Sequence, residues 1–243
     1  MIHTSNKLFI IGCGGVGSWL VPKLAKVVNP RSIVLVDGDS LETKNLARQL
    51  FDPAQVGEKK ATALAAKYGT ESIPEYFSLG SLETLKRRDV IFGCADNHAS
   101  RRAILATCDL IGCSAIIGAN EYTDAEAYFY NPVTDRGTPN DPRVVYPVIL
   151  SDDSDDPLRP TSCTGEAAEA TPQLVLANDW ASGLMLHLYL YHCLNLEGEP
   201  HPFAKTYPAE THPVHHKVSF GKFTTIRRGE RKAPAPRVLP LAA

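Results

Sequence analysis

The stretch "KLFIIGCGGVGSWLVPKLAKVV" (residues 7–28) decides the fold class. Its first six residues form an apolar run that ends in glycine, and apolar side chains then recur at helical spacing. A second apolar run, "SIVLVD" (32–37), follows. An apolar strand, a glycine turn, a helix and another apolar strand together predict a β-α-β unit.

The same alternation continues along the chain. Three further strands are predicted, at 89–96, 114–120 and 125–130, the last a candidate antiparallel strand. Three further helices are predicted, at 57–69, 97–112 and 171–194. Strands that alternate with helices indicate an α/β fold, a doubly wound, mostly parallel Rossmann-like sheet with helices on both faces.

Changes in composition divide the chain. We expect one large domain over 1–194, with a crossover loop at about 131–170 that carries the acidic run "SDDSDD" (151–156) and is exposed and mobile. Residues 195–243 are rich in proline, histidine and basic side chains. They predict an exposed, partly extended arm with one candidate strand at 216–226.

Composition excludes several functional classes. The 243 residues carry a net charge of −2, so neither a nucleic acid nor a membrane partner is indicated. The chain has no run approaching 18 apolar residues and no signal-peptide core, so we expect a cytoplasmic protein. Its six cysteines contain no C-x-x-C pair, which argues against structural zinc.

The glycines of the first turn are predicted to hold a nucleotide phosphate. They are Gly12, Gly14, Gly15 and Gly17. Glycine lets the main chain approach a phosphate closely, and the N-terminus of the next helix supplies N–H groups and the positive end of a dipole. The alternative is a glycine turn that serves only helix packing.

Polar residues after the second strand suggest which nucleotide binds. Asp37 lies twenty residues beyond Gly17, where an acid can hydrogen-bond a ribose hydroxyl. Further candidate nucleotide ligands follow: Asp39, Asn45, Arg48, Gln49 and Lys60. A guanidinium and an ammonium suit a triphosphate, because they stabilise charge on a leaving pyrophosphate. The alternative is that Arg48 and Lys60 are ordinary surface cations.

Asp96 ends the predicted strand at 89–96 and Asn97 follows it, at the sheet edge where open α/β folds bind ligands. Magnesium is commonly held by one or two carboxylates together with phosphate oxygens, so Asp96 is a candidate Mg²⁺ ligand and Asn97 a candidate nucleotide ligand. The pair is equally suited to cap the helix that begins there. Both roles can coexist on neighbouring residues.

The motifs "GCGGVGS", "DGDSLETKNLARQ", "VGEKK" and "CADNHASR", in this order, resemble the ThiF/MoeB family of adenylating enzymes, bacterial relatives of ubiquitin-activating enzymes. The motifs span residues 7 to about 102. The resemblance implies that Asp37 holds the ribose and that Asn45, Arg48 and Lys60 contact ATP phosphates. It also implies that Asp96 holds Mg²⁺.

The resemblance implies an ATP-dependent adenylyltransferase acting on the C-terminal glycine carboxylate of a small ubiquitin-like or sulfur-carrier protein, and a homodimer. Two features depart from the family. The first predicted strand begins at Lys7, so we expect the family's N-terminal arm, with its arginine for the partner's ATP, to be absent or replaced, and the C-x-x-C zinc motifs do not occur in the sequence. Two alternatives stay open. One is an NAD-dependent oxidoreductase, supported by the spacing from Gly17 to Asp37, and the other is a non-catalytic scaffold.

Cys163, in "RPTSCTGEAAEATP" (159–172), is a candidate nucleophile that accepts the activated carrier. The resembled family carries a cysteine at nearly this place before a similar apolar helix. Small polar neighbours favour exposure of the thiol, but Glu166 and Glu169 raise its pKa and so oppose formation of the thiolate. An inert loop cysteine is the alternative.

Overall fold

The structure is a computed structural model that describes residues 6–120, 124–151, 175–193, 213–219 and 222–230. Its strands are β1 (Leu8–Ile11), β2 (Ile33–Val36), β3 (Glu71–Ile73), β4 (Val90–Gly93), β5 (Ser114–Asn120), β6 (Asp124–Tyr130), β7 (Pro213–Ser219) and β8 (Lys222–Arg227). Its helices are α1 (Gly15–Val27), α2 (Lys60–Tyr68), α3 (His98–Ile111), α4 (Pro132–Asp135), α5 (Pro142–Val145), α6 (Val148–Ser151) and α7 (Val175–His192). Short 3-10 helices span Pro30–Ser32, Thr43–Ala47 and Pro53–Gln55.

The described strands form one sheet in the order β3-β2-β1-β4-β5-β6-β7-β8. Strands β1 to β5 are mutually parallel, and β6, β7 and β8 are added antiparallel. This confirms the predicted α/β fold. The candidate antiparallel strand at 125–130 is β6, which pairs antiparallel with β5. The strand order reverses between β1 and β4, which is where such sheets open a crevice for ligands.

Alternate residues of the strands pack against opposite helical layers, because successive side chains of a strand point to opposite faces. Leu8 and Ile10 of β1 join the core that α1, α2 and α7 complete. Phe9 and Ile11 join the second core, which includes residues of α3 and α6. Strands buried on both faces explain the unbroken apolar runs in the sequence.

Local signals explain where the predicted helices begin and end. The helix predicted at 57–69 starts at Lys60, because Gly57 adopts a φ of +97° in the turn before it. Asn97 caps α3, and Gly112 ends α3 in the left-handed conformation. The helix predicted at 171–194 is described over Val175–His192. No helix in the described ranges is both long and apolar enough to cross a bilayer.

The chain after residue 195 differs from its prediction. Where one strand is predicted at 216–226, the structure has two, and β7 pairs with β6 of the central sheet. Val214, His215 and His216 are buried. The prediction of an exposed arm was therefore wrong for these residues, because the histidine rings pack against α7 and β6 instead of facing water. The sheet continues past the predicted domain boundary at 194.

The structure describes residues 131–151 of the predicted crossover loop. Residues 131–151 contain α4, α5 and α6, and the side chains of Asn131 and Asp141 cap the first two. The prediction of an irregular structure is therefore wrong for residues 131–151. An asparagine-proline pair and an aspartate-proline pair start the first two short helices there. The acidic run beyond Ser151 and Cys163 both lie outside the described residues.

Candidate nucleotide site

The glycine turn lies between the ends of β1 and β4. Gly12 has a φ of +94°, and a Cβ on it would lie 2.9 Å from the main-chain nitrogen of Ala95. A Cβ on Gly17 would lie 2.0 Å from the carbonyl oxygen of Gly12. These two positions accept only glycine, because a side chain would meet main-chain atoms that cannot move aside. The turn therefore brings the start of α1 next to the segment that carries Asp96.

The start of α1 is suited to an anion. Its N-cap, Gly14, makes no capping side-chain hydrogen bond, and the first turn holds no acidic residue. Beside it, Gln49 is buried and its Oε1 has no hydrogen-bond partner within the described residues. A buried polar atom of this kind calls for a partner. The free N–H groups at the start of α1 fit an anion such as a nucleotide phosphate, whereas the Gln49 oxygen accepts only from a donor such as a ribose hydroxyl or an adenine amino group.

Asp37 ties the end of β2 to the glycine turn. Its Oδ2 accepts a hydrogen bond from the main-chain N–H of Cys13 at 2.6 Å, and its Oδ1 accepts one from that of Asp39 at 2.8 Å. Burial raises the pKa of Asp37, although both hydrogen bonds oppose that shift. Each carboxylate oxygen keeps a second lone pair, so the role in ribose binding stays a prediction.

Lys60 is held at the site by a carboxylate. Its buried ammonium donates to Oδ2 of Asp39 at 2.8 Å, and the hydroxyl of Tyr76 donates to Oδ1 of the same carboxylate at 2.7 Å. Partial burial by itself raises the pKa of Asp39, but these two hydrogen bonds outweigh it and leave that pKa lowered. The bond to Asp39 also raises the pKa of Tyr76 to about 12. The ammonium is thus fixed close to Asp37.

The segment 42–49 is stabilised by the side chain of Asn45, and its main chain is hydrogen-bonded to residues of two helices. Oδ1 of Asn45 accepts from the main-chain N–H of Glu42, which closes a capping box on the 3-10 helix. The carbonyl of Arg48 accepts from Nε1 of Trp19 at 3.1 Å and from Nδ2 of Asn178 at 3.2 Å. We call residues 42–49 the arginine loop. Its main chain is attached to both α1 and α7.

Asp96 and Asn97 have different surroundings. Oδ1 of Asn97 accepts from the main-chain N–H of Ser100 at 2.7 Å, so the predicted capping role of Asn97 is confirmed. The side chain of Asp96 is exposed, just beyond the carboxyl end of β4. No group of three or more metal-ligating side chains occurs in the part of the chain that the structure describes. Asp96 is placed to offer one carboxylate at the crevice.

Most of the predicted site residues therefore gather around the carboxyl ends of β1, β2 and β4. Cys163 lies outside the described residues. Three residues of the site were not predicted from the sequence. Trp19 and Asn178 bond to the arginine loop, and Tyr76 bonds to Asp39. Asn178 is a polar residue of the predicted helix, but Asp179, Ser182 and His187 are polar there as well, so the sequence did not single it out.

Comparison with known proteins identifies the family. A sequence model of the ThiF family matches residues 2–204. This chain belongs to the ThiF family. It is 36% identical over 114 residues to mouse (Mus musculus) "Adenylyltransferase and sulfurtransferase MOCS3", covering 43% of this chain and 25% of that protein. It is 28% identical over 123 residues to chicken (Gallus gallus) "Ubiquitin-like modifier-activating enzyme 5", covering 42% of this chain and 31% of that protein.

Solved structures share the fold of this ThiF-family chain. Escherichia coli MccB with MccA aligns at a TM-score of 0.63 and 17% identity, over 97% of this chain and 67% of that one. MccB with ATP aligns at 0.59 and 17% identity, over 93% and 64%. At such identity the likeness establishes the fold alone. The chain spans about a quarter of the length of the mouse relative.

Proposed function

We propose that this chain is an ATP-dependent adenylyltransferase that activates the C-terminal glycine carboxylate of a small ubiquitin-like or sulfur-carrier protein. One observation carries the proposal: an uncapped helix N-terminus at a glycine turn lies in the same crevice as a buried lysine and an anchored arginine loop. The names of the mouse and chicken relatives support the reaction class. An oxidoreductase has no need for this set of cations.

The reaction follows from the charges. A carboxylate oxygen of the carrier attacks the α-phosphorus, the bond from that phosphorus to the bridging oxygen of the β-phosphate breaks, and pyrophosphate leaves as the acyl adenylate forms. Arg48 and Lys60 stabilise the negative charge that develops on pyrophosphate. The N–H groups at the start of α1 hold a phosphate. No general base is needed, because a C-terminal carboxylate is ionised at pH 7.

We assign the remaining nucleotide contacts to Asp37, Asn45 and Gln49. Asp37 orients the ribose, and its contact with the main chain of Cys13 keeps that carboxylate beside the glycine turn. Gln49 gains a donor for its buried Oε1 when a hydroxyl or amino group of the nucleotide lies beside the turn. Asn45 acts mainly by holding the arginine loop in shape.

Asp96 is the proposed Mg²⁺ ligand. The exposed carboxylate fits an ion that takes most of its other ligands from water and phosphate oxygens. When bound, Mg²⁺ offsets the phosphate charge. Asp96→Asn keeps size and removes charge, so we expect pyrophosphate exchange to need at least about tenfold more Mg²⁺. An unchanged Mg²⁺ dependence would leave Asp96 without this role.

We propose further that the chain forms a homodimer and is cytoplasmic. We also propose a second step, in which the Cys163 thiolate attacks the acyl adenylate and AMP leaves. Cys163→Ser must then keep pyrophosphate exchange and lose a thiol-sensitive adduct with the carrier. If the wild-type chain forms no adduct with carrier and ATP present, the reaction ends at the adenylate.

ATP–pyrophosphate exchange tests the central proposal. Exchange of labelled pyrophosphate into ATP, dependent on a carrier protein that ends in Gly-Gly, is the expected result. Binding of a nicotinamide dinucleotide without exchange would instead favour the oxidoreductase. Carrier binding without exchange would favour a non-catalytic scaffold.

A further inference from the structure

A single buried amide on α7 joins three parts of the nucleotide site. Oδ1 of Asn178 accepts from Nδ2 of Asn120 at 2.7 Å, and Nδ2 of Asn178 donates to the carbonyl of Arg48 at 3.2 Å. Gly15 lies against the same amide, since a Cβ there would be 2.7 Å from Oδ1 of Asn178. Asn178 is 0% exposed. It therefore contacts the end of β5, the arginine loop and the first residue of α1.

The chemistry of the partners fixes the orientation of this amide. The carbonyl of Arg48 can only accept a hydrogen bond, so Asn178 must direct its NH₂ group there and its oxygen toward Asn120. A buried amide is costly unless both ends are satisfied. An apolar side chain of similar size fills the space but makes neither bond.

A second link between α1 and α7 does not involve Asn178. The ammonium of Lys23 on α1 donates to Oδ1 of Asp179 and to Oγ of Ser182, each at 2.5 Å. This link involves neither Arg48 nor Gly15. Two adjacent residues of α7 therefore make different connections to α1, and only Asn178 reaches the nucleotide site.

We propose that Asn178 is a positioning residue for ATP. It holds the main chain of Arg48 and the start of α1 in the arrangement that binds the phosphates. The affinity for ATP therefore depends on the position of α7. The identity of the ligand rests on the proposed function, whereas the restraint on the arginine loop does not. This dependence gives a function to a fully buried polar residue near the start of α7.

Asn178→Leu tests the proposal, with Asp179→Asn as the matched control. On the full chain, calorimetric titration should show about tenfold weaker ATP binding for Asn178→Leu, equivalent to about 1.4 kcal/mol, and less than about twofold for Asp179→Asn. Amide hydrogen exchange should accelerate at Arg48 and Gln49, whose N–H groups bond to the carbonyl of Asn45. Equal affinity and exchange in Asn178→Leu and wild type would overturn the proposal, and so would equal losses in both variants.

A third variant separates hydrogen bonding from packing. Asn178→Asp places a carboxylate oxygen against the carbonyl of Arg48, whereas the protonated carboxyl group again offers one donor and one acceptor. The ratio of its ATP dissociation constant to that of the wild type should fall severalfold between pH 7.5 and pH 5.5. A ratio that does not change with pH, in a variant that folds, would contradict the assigned hydrogen bonds.

Two further outcomes remain decisive. If Asn178→Leu and Asn178→Asp fail to fold, Asn120→Ala removes the donor to Oδ1 from a half-buried position and should weaken ATP binding by about threefold. No change in that variant would count against the proposal. If the wild-type chain binds no ATP, the proposed function fails, while hydrogen exchange at Arg48 and Gln49 still shows whether Asn178 restrains the loop.

Discussion

The parallel and antiparallel parts of the sheet are organised differently. Around β1, β2 and β4 the site is shaped by glycines and by side chains that bond to nearby main chain, such as Asp37. Around β6, β7 and β8 the contacts are made between polar side chains from distant segments, such as Arg228 with Asp135 and His187 with His216. The first part carries the proposed ligand site, and the second part extends the sheet beside it.

This difference predicts whether a mutation should first change ligand binding or stability. In the parallel part, a change acts on main-chain geometry, so it should affect ligand binding first. In the antiparallel part, a change leaves a buried polar group without a partner, so it should affect stability first.

Gly17→Ala should have the largest effect. The added Cβ would lie 2.0 Å from the carbonyl oxygen of Gly12, so the glycine turn must open. We expect ATP binding to weaken at least about 100-fold, a loss of ~2.7 kcal/mol or more, together with lower stability. Gly183→Ala is the control, because a Cβ there meets nothing within 4 Å and alanine favours a helix by about 1 kcal/mol. Calorimetric titration and thermal unfolding compare the two, and equal behaviour would contradict the prediction.

Arg228→Ala should lower stability in the antiparallel part. Asp135 is fully buried and pairs with the guanidinium of Arg228 across the end of β8. Leaving a buried charge without its partner costs about 3 kcal/mol. Arg136→Ala is the control, because that side chain is exposed and lies 3.5 Å from Asp109, where a pair contributes below about 1 kcal/mol. Urea unfolding should separate the two variants; similar midpoints would show that the pair at Asp135 is not needed.

Lys60→Ala and Arg48→Ala should each slow pyrophosphate exchange by about 100-fold while the fold is kept, the effect of removing one donor to transition-state charge. Lys44→Ala removes an exposed cation from the same region, and its rate should stay near that of the wild type. Circular dichroism checks the fold of all three. Wild-type rates for Lys60→Ala and Arg48→Ala would refute their assignment to the phosphates.

Acid should weaken the attachment of β7 to α7. Burial, and then the nearby His187, lower the pKa of His216 to about 3, below its ordinary 6.5. Other charged or titratable neighbours are His192 on α7, His215 on β7 and Arg227 on β8. A depressed histidine pKa means that the unfolded chain binds more protons, so stability is complete above pH 6.5 and declines as pH falls toward 3.

We expect His216 to contribute about 1 kcal/mol to the loss of stability between pH 7.5 and pH 5.5. Denaturant unfolding at the two pH values measures this loss. His216→Phe keeps a ring and cannot titrate, so it should show a smaller pH dependence than the wild type. An identical dependence in both proteins would place the titration elsewhere.

The parallel part is the part that the sequence predicts well. Strand, glycine turn and helix are encoded locally at residues 7–28, and the family motifs bring Asp37, Arg48 and Lys60 with them. The antiparallel part is not encoded in this way. The sequence shows that His215 and His216 are polar. It does not show that they pair with Glu126 and His187, which lets the two histidine side chains be buried. Such pairing is visible only in three dimensions.

The bond between Asn178 and the carbonyl of Arg48 joins residues 130 positions apart. On the ribosome, β1 to β5 are complete long before α7 leaves the exit tunnel, and domains form as their segments emerge. A nascent chain halted ahead of α7 has β1 to β6 and the bond from Trp19 to the arginine loop, but not the bond from Asn178. On the proposed function, one restraint on the nucleotide site is therefore added late in synthesis.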